Sequence, residues 1–251
     1  MTTNYNRLLN NLDELKLIKF RENLDEYIDL INSGKTFTDA LYELTGLEIE
    51  FKRNRAISVR IQMAGFPFYK TLEDFDFSFQ PSLNKERIID LRSVRFLENK
   101  ENILFIGTPG VGKTHLATSI GIEASRHHYL TYFINCNDLV LQLKRAHLEN
   151  RLEEKIKALA RYKLLIIDEV GFLPLDTEAS NLLFQLISKR YEKSSTIITT
   201  NKALSTWGDL FGDNVLANAI LDRLVHHSQI ITINGKSYRT RDKMEAIVAK
   251  K

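Results

Sequence analysis

The chain has 251 residues, 43% of them apolar and 27% charged, with 11 glycines and 4 prolines. That balance fits one large domain, or a medium domain with a small companion, and excludes fibrous, low-complexity and disordered classes. A net charge of +3 permits a polyanionic partner without demonstrating one, while a lone cysteine, Cys136, excludes an internal disulfide and a cysteine-rich structural zinc site.

Residues 1–19 are polar, with no apolar leader segment, and no run reaches the length and apolarity of a membrane span, so the expectation is a cytoplasmic chain without a membrane partner. Leu8, Leu12 and Leu15, then Leu24, Ile28 and Ile31, recur at three- and four-residue spacing and predict two short amphipathic helices. Asn32-Ser33-Gly34 interrupts them. Thr36, with Asp39 three places on, reads as a capping pair, and Ala40, Leu41, Leu44, Leu47 and Phe51 carry a third helix towards Ala64. Its end is dense in the cations Lys52, Arg53, Arg55 and Arg60 before Gly65-Phe66-Pro67 stops it. The expected division is a small all-helical N-terminal domain over residues 1–66 and a second domain over 67–251.

Beyond a linker at residues 67–84, short β-branched or aromatic runs occur at 103–106, 130–134, 164–167, 196–199 and 230–233. They read as buried strands, and residues 114–127, 137–162 and 177–191 between them carry helical periodicity. Strand-helix alternation predicts an α/β domain with a parallel sheet covered on both faces.

Directly after the first strand comes Gly107-Thr108-Pro109-Gly110-Val111-Gly112-Lys113-Thr114, with His115 continuing into a helix. This is the strand, glycine-rich loop and helix order of a phosphate-binding loop. Its backbone N–H groups and helix N-terminus suit nucleotide phosphates, Lys113 suits the β and γ phosphates of ATP, and the Thr114 hydroxyl suits Mg²⁺. The third strand ends in Asp168-Glu169, where ligands sit in open α/β sheets. Asp168 is expected in the Mg²⁺ shell and Glu169 as the base for an attacking water, which separates a hydrolase from a metabolite kinase.

Asn201 follows the fourth strand, Arg223 lies in an apolar helix at 215–225, and Arg239 follows the last strand. Each is a further candidate, and each has an ordinary surface or turn reading beside it. Two basic segments are candidates for nucleic acid, one holding Lys52, Arg53, Arg55 and Arg60 and the other Lys144 and Arg145. The acidic neighbours of the second leave a salt-bridged helical surface open. The six histidines have no carboxylate or cysteine at ligand spacing, so no dedicated metal site is expected among them.

These residues resemble the IstB family of insertion-sequence helper ATPases, kin of the DnaC-type helicase loaders in the AAA+ superfamily. The resemblance spans nearly the whole chain, from Ala64-Gly65-Phe66-Pro67 and Lys70-Thr71-Leu72-Glu73-Asp74-Phe75 through the phosphate loop to Thr199-Thr200-Asn201, Leu221-Asp222-Arg223-Leu224 and Gly235-Lys236-Ser237-Tyr238-Arg239. It implies a five-stranded sheet of order 5-1-4-3-2, with Asn201 as sensor I, Arg223 as arginine finger and Arg239 as sensor II. It also implies a DNA-touching insertion at 137–162 and a homo-oligomer on duplex DNA, its active sites shared between subunits, that assists a partner transposase. With 18 residues after Ile233, the expectation is a domain without a separate C-terminal helical lid. A replicative helicase loader remains the alternative, with a P-loop kinase or a nucleotide-gated scaffold behind it.

Overall fold

A computed structural model describes residues 3–240. The chain divides into two compact units, Met1–Val59 and Arg60–Lys251. The first holds α1 (Asn4–Glu14), α2 (Ile18–Glu22), α3 (Leu24–Asn32) and most of α4 (Phe37–Met63). Periodicity predicts two short helices where three form. The extra one, α2, has no side-chain cap at Leu17, but the Lys19 and Phe20 amides donate to Glu48 Oε2 at 2.7 and 3.1 Å. A carboxylate from a distant helix thus satisfies amides that α2 leaves orphaned, and sequence spacing does not show such a partner. At the start of α4, Thr36 Oγ1 accepts from the Asp39 amide at 3.2 Å. The Asp39 carboxylate returns to that hydroxyl, at 2.6 Å.

In the second unit, α5 (Lys85–Asp90) and α6 (Arg95–Glu98) precede β1 (Asn102–Gly107). Then follow α7 (Lys113–Arg126), β2 (Thr131–Asn135), α8 (Cys136–Leu148), α9 (Leu152–Ala160) and β3 (Leu164–Val170). The unit continues with α10 (Thr177–Arg190), β4 (Ser195–Thr200), α11 (Trp207–Phe211), α12 (Asn214–Val225) and β5 (Ser228–Ile233). The helical segment expected at 137–162 is two helices, broken where Asn150 takes φ 56°.

All strand pairs are parallel and the sheet order is β2-β3-β4-β1-β5, which is 5-1-4-3-2 read from the other edge. Alternate strand residues feed two cores. Ile103, Phe105, Leu164 and Ile166 pack with Leu116 and Ile120 on one face. Leu104, Leu165 and Ile167 pack with Leu139, Leu186 and Ile220 on the other. Burial on both faces explains the unbroken apolar runs.

The segment read as a linker is part of the first of these cores, with Leu72 and Phe75 packed against Val111. The end of α4 also belongs to the second unit: the Phe133 amide donates to Ala64 O at 2.8 Å, and the Phe66 ring meets that of Phe133 edge-on. These contacts put the division between the units at Val59/Arg60, ahead of the 66/67 boundary expected from the Gly-Phe-Pro stop.

Two buried groups are structural. Cys136 opens α8 in the core, and burial pushes its thiol up to about 12, so it is inert at neutral pH. Arg190 spans the amino ends of β3 and β4. It donates to the carbonyls of Leu159, Tyr162 and Ser195 and to the Thr196 hydroxyl. Among the described residues no helix is long and apolar enough to cross a membrane.

Candidate functional site

The parallel sheet brings the carboxyl ends of β1, β3 and β4 to one edge, and the motif residues collect there. Between β1 and α7 the loop turns at Gly110 (φ 83°) and Gly112 (φ 100°), both left-handed. A Cβ on Gly112 would lie 2.6 Å from Phe75 Cε2, and one on Gly110 would lie 2.1 Å from Ser237 Oγ. Only glycine supplies this backbone under these neighbours, and no side chain caps the start of α7 at Gly112. Lys113 Nζ donates to Gly107 O at 2.7 Å and Thr108 O at 2.9 Å. Burial lowers its pKa, which Asp168 opposes.

Below the loop, Thr114 Oγ1 lies 3.0 and 3.1 Å from the two Asp168 carboxylate oxygens. Thr199 also donates to Asp168 Oδ1. A hydroxyl and a carboxylate side by side are oxygen donors suited to a hard divalent cation, so the residues present fit Mg²⁺. Burial raises the pKa of Asp168 above the ordinary carboxylate value, against the two hydroxyl hydrogen bonds.

A carboxyl whose pKa is higher folded than unfolded costs stability once ionised. The cost is absent below the unfolded value of about 3.9 and grows as pH rises from there through the folded pKa. Asp168→Asn keeps an acceptor for both hydroxyls and removes the buried charge. The unliganded variant is therefore expected to melt at a higher temperature than the parent at neutral pH. It should lose any stabilisation by ATP with Mg²⁺. Thermal melts with and without the ligand check both parts, and a lower melting point without ligand contradicts the first.

Glu169 faces the other way. Its φ of 60° is left-handed and falls at a register shift between Ile167 and Val170. This bulge turns consecutive carboxylates in different directions. The Glu169 amide donates to Thr199 Oγ1 at 2.9 Å, and its carboxylate accepts from Asn135 Nδ2 at 2.8 Å. The side chain is exposed and lines a cavity of about 320 Å³ between the loop and the former linker. Lys113, Thr114, His115, Asn201 and Arg239 also line it, with Phe68, Lys70, Asp74 and Phe75 from residues 67–84. His115 packs edge-on to Phe68 and Phe75, and burial lowers its pKa. Arg239 reaches the cavity because the Tyr238 amide donates to Gly110 O at 2.9 Å.

Asn135, the hydroxyl of Thr199 and the aromatic wall join the site without standing out in the sequence. Strand register was the available signal for Asn135, which pairs with Asp168 across β2 and β3. Arg223 is not brought to the cavity. It donates to Ala219 O at 2.8 Å, and its guanidinium lies 4.8 Å over the Phe184 ring. The basic candidates separate as well. Lys144 pairs with Asp176 and Glu178, Arg145 with Glu149, and Lys52 with Glu48. Arg60 lies 3.1 Å from His128 Nδ1. Arg53 and Arg55 are exposed and form no ion pair among the described residues.

Residues 10–246 match the family described as IstB-like ATP binding protein. The chain belongs to that family. It is 50% identical over 243 residues to the insertion sequence IS232 ATP-binding protein of Bacillus thuringiensis subsp. berliner, covering 96% of this chain and 97% of that one. It is 44% identical over 200 residues to the insertion sequence IS21 ATP-binding protein of Pseudomonas aeruginosa, covering 80% and 76%. The fold of the second unit is shared with solved DnaC and DnaA structures. A crystal structure of the DnaC helicase loader aligns with a TM-score of 0.54 at 23% identity, covering 69% of this chain and 98% of that one. AMPPCP-bound DnaA from Aquifex aeolicus aligns at 0.57 and 19%, covering 74% and 56%.

Proposed function

We propose that this chain is an ATP-hydrolysing helper of transposition that binds duplex DNA, assembles on it as a homo-oligomer and assists a partner transposase in target selection and insertion. The observation that carries the hydrolytic part is the divergence of Asp168 and Glu169 at the β3 bulge, one towards Thr114 and one into the cavity. The loop amides and Lys113 bind the phosphates, and Thr114 and Asp168 would hold Mg²⁺. When bound, the cation neutralises charge on the β and γ oxygens. Glu169 accepts the proton of the attacking water while Asn135 fixes its carboxylate. Asn201 and Arg239 face the same cavity and contact the γ-phosphate or its water. Arg223, held away from the cavity of its own chain, serves a neighbouring subunit's nucleotide. The transposition role is supported by the insertion-sequence relatives.

Ion pairing redistributes the expected DNA contacts. Lys144 and Arg145 are already neutralised by carboxylates, so Arg53 and Arg55 carry more of the free positive charge. Binding should be largely sequence-independent and fall with salt, with a slope of about 0.9 per phosphate contacted. Arg53→Glu/Arg55→Glu should weaken duplex binding and flatten that slope by about 2. Fluorescence anisotropy in rising salt, with ATP or ADP, tests the proposal. Stronger binding with ATP than with ADP, and stronger on duplex than on single strands, is expected. A flat salt dependence excludes phosphate contacts, and a preference for single strands moves the reading to a helicase loader.

A further inference from the structure

At the opposite end of the sheet from the loop, the structure brings together three groups that the sequence keeps apart. Glu192 lies in the turn between α10 and β4, and His226 and His227 join α12 to β5. One carboxylate oxygen, Glu192 Oε1, is 3.9 Å from His226 Nδ1 and 3.6 Å from His227 Nε2. The ligand atoms of all three residues lie within 4.8 Å of one another. Spacing along the chain predicts no metal site among the histidines, and the fold supplies the missing carboxylate.

We infer that Glu192, His226 and His227 form a surface site for a divalent transition-metal cation such as Zn²⁺. Two imidazole nitrogens and one carboxylate oxygen are a donor set of the borderline kind that Zn²⁺, Co²⁺ and Ni²⁺ take and Mg²⁺ does not. Metal–ligand bonds of about 2.0–2.2 Å place tetrahedral ligand atoms about 3.3 Å apart, so the observed spacing needs only side-chain rotation to close. All three side chains are exposed and can make that adjustment.

The support beneath the histidines is fixed. The Asn102 amide donates to His227 O at 2.8 Å, holding this turn to the start of β1. The imidazole rings of His226 and His227 lie 4.0 Å apart, centroid to centroid. His226 Nδ1 lies 2.7 Å from the Tyr191 hydroxyl, a contact the cation displaces. Two or three protein ligands at the surface leave the remaining positions to water. The site lies at the amino end of the sheet, away from the cavity at the carboxyl edge, and its water-filled positions make it of the open rather than the closed structural kind. A bound cation ties the α10–β4 turn to the end of α12, the helix that carries Arg223.

Isothermal titration of the tag-free full chain with ZnCl₂, and Co²⁺ absorption as a spectroscopic probe, test the inference. One saturable site with a tetrahedral or five-coordinate Co²⁺ spectrum is expected, with no competition from Mg²⁺. Glu192→Gln should weaken binding at least tenfold and His226→Gln/His227→Gln at least a hundredfold, since even groups that only support ligands are worth about 10–100-fold. These surface substitutions leave the fold intact, which circular dichroism checks. Equal Zn²⁺ affinity in parent and double variant overturns the site. So does the absence of saturable Zn²⁺ binding by the parent up to about 1 mM, the weak end of useful protein–metal affinities.

Discussion

Glu169→Gln is expected to retain ATP while hydrolysing it about 10²–10⁴ times more slowly, the usual cost of losing a general base. The two effects separate because the residue stands apart from the phosphate-binding groups. Its carboxylate accepts from Asn135 Nδ2, and the amide oxygen of Gln can accept the same bond. Its backbone amide donates to Thr199 Oγ1 whatever the side chain. Position is therefore kept and only proton acceptance is lost. Phosphate release with equilibrium nucleotide binding measures both quantities. Unchanged turnover would remove Glu169 as base, and lost binding would mean that the bulge itself had collapsed.

Arg223→Ala is expected to lower hydrolysis by the assembled protein about 10³–10⁵-fold, the range for an arginine supplied to a phosphoryl-transfer site by a neighbour. In its own chain this guanidinium rests over Phe184 and donates to Ala219 O, so its loss leaves the cavity lining unaltered. ATP binding by the isolated subunit should survive. Mixing separates action between subunits from action within one. Arg223→Ala keeps an intact loop and Lys113→Ala keeps an intact finger, so some interfaces in a mixed assembly on DNA hold both. Partial recovery of turnover is expected. A mixture that co-assembles and stays inactive places the role of Arg223 within its own subunit or nowhere.

The parts of the site that were legible in the sequence are those encoded by neighbours along the chain. Gly107 to Thr114 is contiguous, and its flanking strand and helix have clear periodicity, so both loop and fold class could be read directly. Asp168 and Glu169 were legible because a wholly apolar strand ends in them. What escaped depends on pairing across distance. Asn135 meets Glu169 from 34 residues away. Lys144 meets Asp176 from 32 residues away, an ion pair that local spacing does not show. Glu48 supplies the start of α2 from 29 residues away. The segment at 67–84 looked like a linker because its apolar residues are irregularly spaced, yet Phe75 closes over Gly112 and Phe68 lines the cavity. No local pattern reports a wall built by a segment whose one regular element is a single 3-10 turn at Phe77–Phe79.

The proposal depends most on Lys113, whose ammonium folds over the loop at Gly107 and Thr108. The most direct test is steady-state ATP turnover with Mg²⁺ and duplex DNA, comparing the parent with Lys113→Ala. The parent should hydrolyse ATP with saturation in nucleotide, and the variant should fall to background because it no longer holds the phosphates. Turnover by the variant equal to that of the parent would place the chemistry elsewhere and contradict the assignment.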